Sequence, residues 1–543
     1  MQKALRPALF SGLLLLAAYL RITGLSWGLS SGYGHDLNFQ PDEFVSLRGV
    51  RQVDLSAGRI KASDAYFEGT FNYYLWALPQ AILKTSGKKH ASPTGSTTAT
   101  DQSDLLYICR WMSVLFDLCT ICVVFLAIKE ATQKFYPSLV GALCYTVIPM
   151  QMIYAHFMRT HILSNLLCCL VIWLSLQLQR SRRPQLLVSV GLISGLGAAT
   201  RFPVAMIVAI PCLYLLVNGA NNLQSTRAGL WQRVKTFATV QVWLIGLGFG
   251  IGLFVGHPML FFDPSSVIKE ITDQVRTYGS LHEFSPGQLL NLGVLWRYII
   301  YVIPFAMYPL LWLVPYCAIL YLVFSLRLYS LTVPLLLFSL LYLYFMGKGY
   351  LGPYFARPAM LLFPGFCILV GIAFSDIQSK LRNKPILAAV FISALLLLMA
   401  PSVAFDVAYD RAMQQKDARQ ALREDLQKLI HEGPASIGIS HYGPYFYTAM
   451  PAARPLNSEK VAVKVQDPGQ DADFFLVGFP GQIQPAVMNA TVRQVEAQGK
   501  FKYERSYSVP VKIFGHEFRL ERFPMDMTYP FPTISLFRSR TST

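Results

Sequence analysis

Residues 3–44 read KALRPALFSGLLLLAAYLRITGLSWGLSSGYGHDLNFQPDEF. Two cations, Lys3 and Arg6, precede an apolar run over 7–27. A bilayer crossing needs about 20 such residues, and cations flanking a first span place their end inside. The run lacks a small-residue cleavage site, so it is expected to stay as a signal anchor. Beyond it, on the outer side, stands Pro41-Asp42-Glu43. Pro41 suits the first turn of a helix, with Asp42 and Glu43 near its positive end.

The rest of the chain extends this pattern. Of 543 residues 53% are hydrophobic and 14% charged, against about 25% charged in soluble domains. Mean hydropathy is +0.40. Apolar runs predict about eleven spans: 7–27, 105–127, 137–153, 161–179, 185–200, 203–218, 236–256, 296–318, 329–346, 355–375 and 385–403. Residues 404–543 differ, with 32 charged residues in 140. They read as a soluble α/β domain, with a helix near 415–431 and strands near 435–440, 473–478 and 534–538. Alternation puts basic clusters inside, among them Arg180, Arg182 and Arg183, and then Lys380, Arg382 and Lys384. An odd number of spans leaves the C-terminal domain outside.

The net charge of +17 lies almost wholly in the membrane part, which suits anionic lipid or phosphate partners. A nucleic-acid binder would show a soluble basic face, and there is none. The nine cysteines fall in or beside apolar runs, which excludes a disulfide framework. Cys119-x-x-Cys122 imitates a redox or zinc motif, but inside an apolar helix it reads as packing.

Of the 15 acidic residues in the membrane part, only Asp117, Glu130 and Asp376 avoid the predicted outer face. Chemistry is therefore expected in two outer loops, 28–104 and 257–295. In the first, a carboxylate of the Asp42-Glu43 pair near lipid and protein would have a raised pKa and accept a proton. Helix-end charge without catalysis is the competing reading. Arg48 and Arg51 follow on the same helix, either paired with those carboxylates or holding a phosphate. The stretch Glu68-Gly69-Thr70-Phe71-Asn72-Tyr73-Tyr74-Leu75-Trp76 reads as an interfacial helix, and 84–100 as a polar loop. Asp117, within the second span, either pairs with a polar neighbour or lines a lipid cavity.

A basic N-terminus, one span and then Pro41-Asp42-Glu43 in a large outer loop resemble the lipid-carrier-dependent glycosyltransferases of GT-C fold. These include the protein O-mannosyltransferases and the aminoarabinose transferases. Arg110-Trp111-Met112-Ser113-Val114-Leu115 is similar to the start of that family's second span. Pro149 to His156 resembles its second outer turn, and Gly191 to Phe202 its Gly-rich fifth span. His257-Pro258 is similar to the opening of its long outer loop. Asp417-Ala418-Arg419, Ile437-Gly438-Ile439, Asp473 to Val477 and Pro532 to Phe537 resemble the outer domain of bacterial members. The resemblance implies a GT-C-like α-helical polytopic membrane protein of about eleven transmembrane helices. It would comprise a transmembrane glycosyltransferase domain over 1–403 and an extracytoplasmic α/β domain over 404–543.

It also implies transfer of a sugar from a polyprenyl- or dolichyl-phosphate carrier to an acceptor hydroxyl on the outer face of the plasma membrane. The acceptor would be a glycan, lipid or protein. Asp42 would be the general base, supported by Glu43. The family often has an Asp just after the second outer turn. Here the stretch reads Met158-Arg159-Thr160-His161, which leaves His161 or His156 in its place. The departing phosphate needs cations but no proton; Arg201, Lys348, Arg357 and Arg48 are the candidates. No metal is required, although His35, Asp42, Glu43 and His257 would make a mixed site for a divalent ion if the loops meet. A transporter or lipid flippase is the reading from another class, and it would make Asp117 matter more than Asp42. An accessory subunit that has kept the fold without catalysis is a third.

Overall fold

The computed structural model describes the chain except for 1, 30–39, 63–65, 86–98, 182, 220–239, 281–291, 326–328, 350–354, 431–434, 441–452, 454–455, 457–460, 480–483 and 541–543. Contacts divide it into two compact units. The first comprises Met1–Ile22, Val45–Pro93 and Cys109–Val403, and the second Thr23–Phe44, Thr94–Ile108 and Ala404–Thr543.

The first unit is helical. Its opening elements are α1 (Gln2–Ile22), most of α2 (Pro41–Gln52), α3 (Phe71–Thr85) and α4 (Ala99–Thr132, from Cys109 on). Then come α5 (Phe135–Thr146), α6 (Pro149–Ala155), α7 (Thr160–Leu178), α8 (Pro184–Thr200), α9 (Ala209–Gly219) and α10 (Val240–Gly256). After α11 (Pro264–Ser280) follow α12 (Leu313–Phe324), α13 (Tyr329–Gly349), α14 (Phe363–Lys380) and the start of α15 (Pro385–Met413). Among the described residues five helical stretches are long and apolar enough to cross a membrane: Leu5–Ile22, Ser103–Thr132, Thr160–Leu178, Arg357–Lys380 and Pro385–Ile430. The pair α5 and α6, bent by 65°, adds a sixth if it is one broken span. Six more apolar helices are shorter, so length and composition qualify five or six full spans where eleven were expected. The expected span 296–318 is two short helices, Leu295–Ala306 and Leu313–Phe324.

Two features fix this unit internally. The first is α8 against α10. A Cβ on Gly191 would lie 2.1 Å from the Ile245 carbonyl oxygen, and one on Gly195 2.1 Å from that of Phe249. Gly248 and Gly252 meet the Val188 and Leu192 carbonyl oxygens equally closely. Small residues four apart on both helices let the backbones touch, which is how helices associate where lipid removes the hydrophobic drive. The opposite side of α10 carries the exposed Trp243, Leu247 and Phe254. The second feature is a buried ion pair. Arg21 of α1 donates through Nε to Asp117 Oδ2 of α4, and Tyr145 of α5 donates its hydroxyl to Asp117 Oδ1 at 2.7 Å. Arg21 also donates to the Thr146 carbonyl at 3.1 Å. Cys119 and Cys122 lie within α4 as free thiols.

The second unit contains α16 (Ala418–Ile430), α17 (Pro485–Glu496) and strands β1 (Ala435–Ser440), β2 (Val461–Gln466), β3 (Phe474–Phe479), β4 (Phe501–Tyr507), β5 (Val511–Ile513), β6 (His516–Phe518) and β7 (Thr533–Ser539). Five strands form one sheet in the order β2-β1-β3-β7-β4, parallel between β2, β1 and β3 and antiparallel across β7. Phe474 and Leu476 of β3 pack with Leu422 and Leu426 of α16. The alternate residues Phe475 and Val477 pack with Val495 of α17. A strand covered by helices on both faces reads as a continuous apolar run rather than an alternating one, and all six residues of β3 are buried.

Asp417 caps α16, accepting the Arg419 backbone N–H at 2.8 Å and the Trp27 indole N–H at 3.2 Å. The Arg419 guanidinium lies over the Trp27 ring at 5.4 Å. The aromatic stretch 442–447 lies outside the described residues.

Candidate active site

The candidate site of the first unit starts from two helix ends that the close α8–α10 packing brings side by side. Helix C-termini leave carbonyls without intrahelical partners, and here Thr70 and the first turn of α3 supply those partners. Thr70 donates its hydroxyl to the Gly256 carbonyl at 2.7 Å, and Asn72 donates its amide to the Thr200 carbonyl at 3.0 Å. The approach requires glycine at position 69. Its φ is +83°, and a Cβ there would sit 2.3 Å from the Ala199 carbonyl oxygen. The stretch read as interfacial is thus a buried clamp: Asn72, Tyr73 and Trp76 are all inside.

The clamp holds Glu68. Its carboxylate accepts from Arg159 Nη2 at 2.8 Å and from the Tyr73 hydroxyl at 3.0 Å, all three groups being buried. Arg159 also donates through Nη1 to Ser46 Oγ of α2 at 3.1 Å. Burial, then the Glu68 charge, pushes the Tyr73 phenol well above its ordinary range. Tyr66, two residues before Glu68, is pushed up to about 12, chiefly by burial. Sequence reasoning missed both Glu68 and Arg159 as site residues. The available signal was an arginine standing between apolar segments at the start of a span, where an unpaired charge is costly.

His161, in the first turn of α7, is 2% exposed. Neither ring nitrogen has a hydrogen-bond partner among the described residues. The ring packs edge-on against Tyr154 at 5.1 Å. The charged groups acting on it are Arg201, Arg159 and Arg357. Arg201 caps the C-terminus of α8 and is half-buried. Arg357 opens the 3₁₀ turn Arg357–Leu362 and is buried, its guanidinium 4.5 Å from the Phe355 ring centroid. A polar chain ties that turn to α6 and α7: Asn165 donates to Gln151 Oε1 at 2.8 Å, and Gln151 donates to the Met360 carbonyl at 3.3 Å. His156, the other histidine of this stretch, bonds through Nδ1 to the Met152 carbonyl at 2.8 Å.

The other expected residues lie elsewhere in the first unit, in the second unit, or outside the described residues. His257 follows α10 and is fully buried between the Tyr66 and Phe202 rings, 5.8 and 5.6 Å away. Burial pushes its pKa down to about 4, so it is neutral at physiological pH. Arg48 is exposed on α2. Lys348 lies in the last turn of α13, with its side chain outside the described part, and His35 is outside it altogether. In the second unit, Asp42 and Glu43 occupy the first turn of α2. Gln40 caps that turn, its Oε1 accepting the Glu43 N–H at 2.8 Å. Glu43 is fully buried, whereas Asp42 is partly open. Among the described residues, no group of three or more His, Cys, Asp or Glu is placed to hold a metal ion.

A buried imidazole whose nitrogens have no partner among the described residues, with three arginines acting on it, suits an anionic ligand. Residues 104–253 match the family model of dolichyl-phosphate-mannose-protein mannosyltransferase. That segment includes Arg159, His161 and Arg201, and the family is the one the order of motifs resembles. No curated protein matches the chain significantly in sequence. Among solved structures the chain is similar to an Archaeoglobus fulgidus oligosaccharyltransferase in complex with Zn and sulfate, at 14% identity and a TM-score of 0.48. That match covers 85% of this chain and 62% of the other, so the chain spans about three-fifths of the archaeal enzyme's length. It is also similar to ArnT from Cupriavidus metallidurans bound to undecaprenyl phosphate, at 11% identity and a TM-score of 0.45, covering 97% of this chain and 98% of that one.

Proposed function

We propose that the protein is a multi-pass membrane glycosyltransferase of GT-C type. It moves a sugar from a polyprenyl-phosphate carrier to an acceptor hydroxyl on a glycan, lipid or protein. It works at the outer face of the plasma membrane, with the C-terminal domain on the same side. The observation that supports this reading best is buried His161, with neither ring nitrogen partnered among the described residues, in the segment 104–253 that matches a lipid-phosphate-sugar transferase family. An anionic leaving group is what such a reaction must stabilise.

In this reading Asp42 takes the acceptor proton, since it is the carboxylate of the pair that is open. Glu43, buried behind it in the same helical turn, orients that turn. Arg201, Arg357, Lys348 and Arg48 supply cations for the carrier phosphate, Arg as a two-pronged donor. No step requires a metal. The transporter reading rests on Asp117, and both oxygens of Asp117 are engaged by Arg21 and Tyr145.

The test is sugar transfer by the purified, detergent-solubilised protein, using a panel of radiolabelled polyprenyl-phosphate sugars with membrane extract as acceptor. Asp42→Asn is expected to lose roughly 10²–10⁴-fold in rate while still binding donor. Transfer that survives this substitution moves the base elsewhere. A protein that neither binds nor turns over any donor refutes the reading.

A further inference from the structure

Three sets of groups call for explanation beyond the proposed reaction. The acidic residues Asp406, Asp410 and Asp526 are buried in the second unit, but an acidic cluster by itself indicates no ligand. His257 is enclosed by aromatic rings and reads as packing. His161 is different. It is buried at 2% exposure, both nitrogens lack partners among the described residues, and the charges acting on it are all positive. Burying a polar group without a hydrogen bond is costly, and burying it among cations of its own chain adds no partner. Its N–H matches a ligand that is both negative and rich in acceptor atoms.

Resting on the glycosyl-transfer reading, we propose that His161 is a catalytic residue that donates an N–H hydrogen bond to the carrier phosphate as it leaves. The donor is a phosphodiester with one negative charge. The acceptor oxygen attacks the anomeric carbon, and its proton passes to the general base of that reaction. The bond between anomeric carbon and phosphate oxygen breaks, and its electron pair stays on that oxygen. The carrier thereby becomes a phosphate monoester with a second negative charge and a new acceptor oxygen. A neutral imidazole N–H can bond that oxygen, and the field of Arg159, Arg201 and Arg357 favours the added charge. Where the resembled family often carries an acid, this chain has Arg159 and His161. Arg159 secures Glu68 and Ser46, and His161 is left to face the ligand. The site therefore binds the monoester product better than the diester donor.

The experiment compares the affinity of the full-length protein in detergent for a C20 polyprenyl phosphate and for the methyl phosphodiester of the same chain. Inorganic phosphate is a third probe. Wild type is expected to prefer the monoester. His161→Leu is expected to shrink that preference by roughly tenfold or more, the loss of one hydrogen bond to a charged group, and to lower kcat with little change in KM for donor. His161→Asn, which restores an N–H donor, recovers part of both. An unchanged preference in folded His161→Leu overturns the assignment even if wild type transfers sugar, and the glycosyltransferase reading then stands without it. Inorganic phosphate binding as tightly as the polyprenyl phosphate overturns the lipid-carrier assignment. Binding of neither lipid by wild type overturns the reading and the inference together. If gel filtration shows His161→Leu to be misfolded, His161→Gln takes its place, and an unchanged preference there is equally decisive against the proposal.

Discussion

Asp117 stands in the middle of α4, where a lone carboxylate among apolar residues draws attention as a candidate for transport or catalysis. Its partners are 96 residues before it and 28 after it, Arg21 and Tyr145. No local pattern announces such a pair, which is why the sequence left its role open. Removing the carboxylate strands a buried guanidinium, so Asp117→Ala is expected to destabilise the protein by about 3–5 kcal/mol. Thermal unfolding in detergent checks this, and an unchanged melting temperature would contradict the pairing. The same distance problem hid Glu68 and Arg159, which are 91 residues apart. Arg201 and Arg357 stood out as candidates because a cation beside an apolar span is conspicuous by itself. The first-turn placement of Asp42 and Glu43 was legible because Pro41 and two acids are a local helix-start signal.

At the scale of elements, the glycines of α8 and α10 separate into two sets that look alike in sequence. Gly191, Gly195, Gly248 and Gly252 meet backbone of the opposite helix, whereas a Cβ on Gly246 or Gly250 would meet nothing within 4 Å. Gly195→Leu or Gly252→Leu is expected to force the helices apart, at a cost of about 1–3 kcal/mol or more. It would also disturb the clamp formed by Thr70 and Asn72, since these bond the two helix ends. Gly246→Ala and Gly250→Ala should leave unfolding temperature unchanged. Equal effects of the two sets on melting would refute the packing. The Gly-rich character of this span was plain from the sequence, but which glycines matter depends on the rotation of each helix about its axis. That rotation is set by the partner helix.

At the scale of the whole molecule, charge and hydropathy predict opposite sides for two exposed positions. Arg382 lies in a basic turn expected inside, and Phe514, 95% exposed at the turn between β5 and β6, lies in the domain expected outside. In a protein whose exposed Cys317 is replaced by Ser, Phe514→Cys should react with a membrane-impermeant maleimide in intact cells. Arg382→Cys should react only after permeabilisation. The reverse pattern would invert the topology and move the proposed site to the other face.

Apolar runs, the change in charge density after Val403, the helix start at Pro41 and the buried strand 474–479 are written locally. Each depends on composition or period over a few residues, so the sequence alone determined them. The pairing of Arg21 with Asp117, the capture of Arg159 by Glu68, the glycine faces of α8 and α10, and a buried imidazole without a partner among the described residues were decided only by tertiary structure. Each depends on which distant residue fills the low-dielectric space beside a buried polar or backbone group, and that is a property of packing.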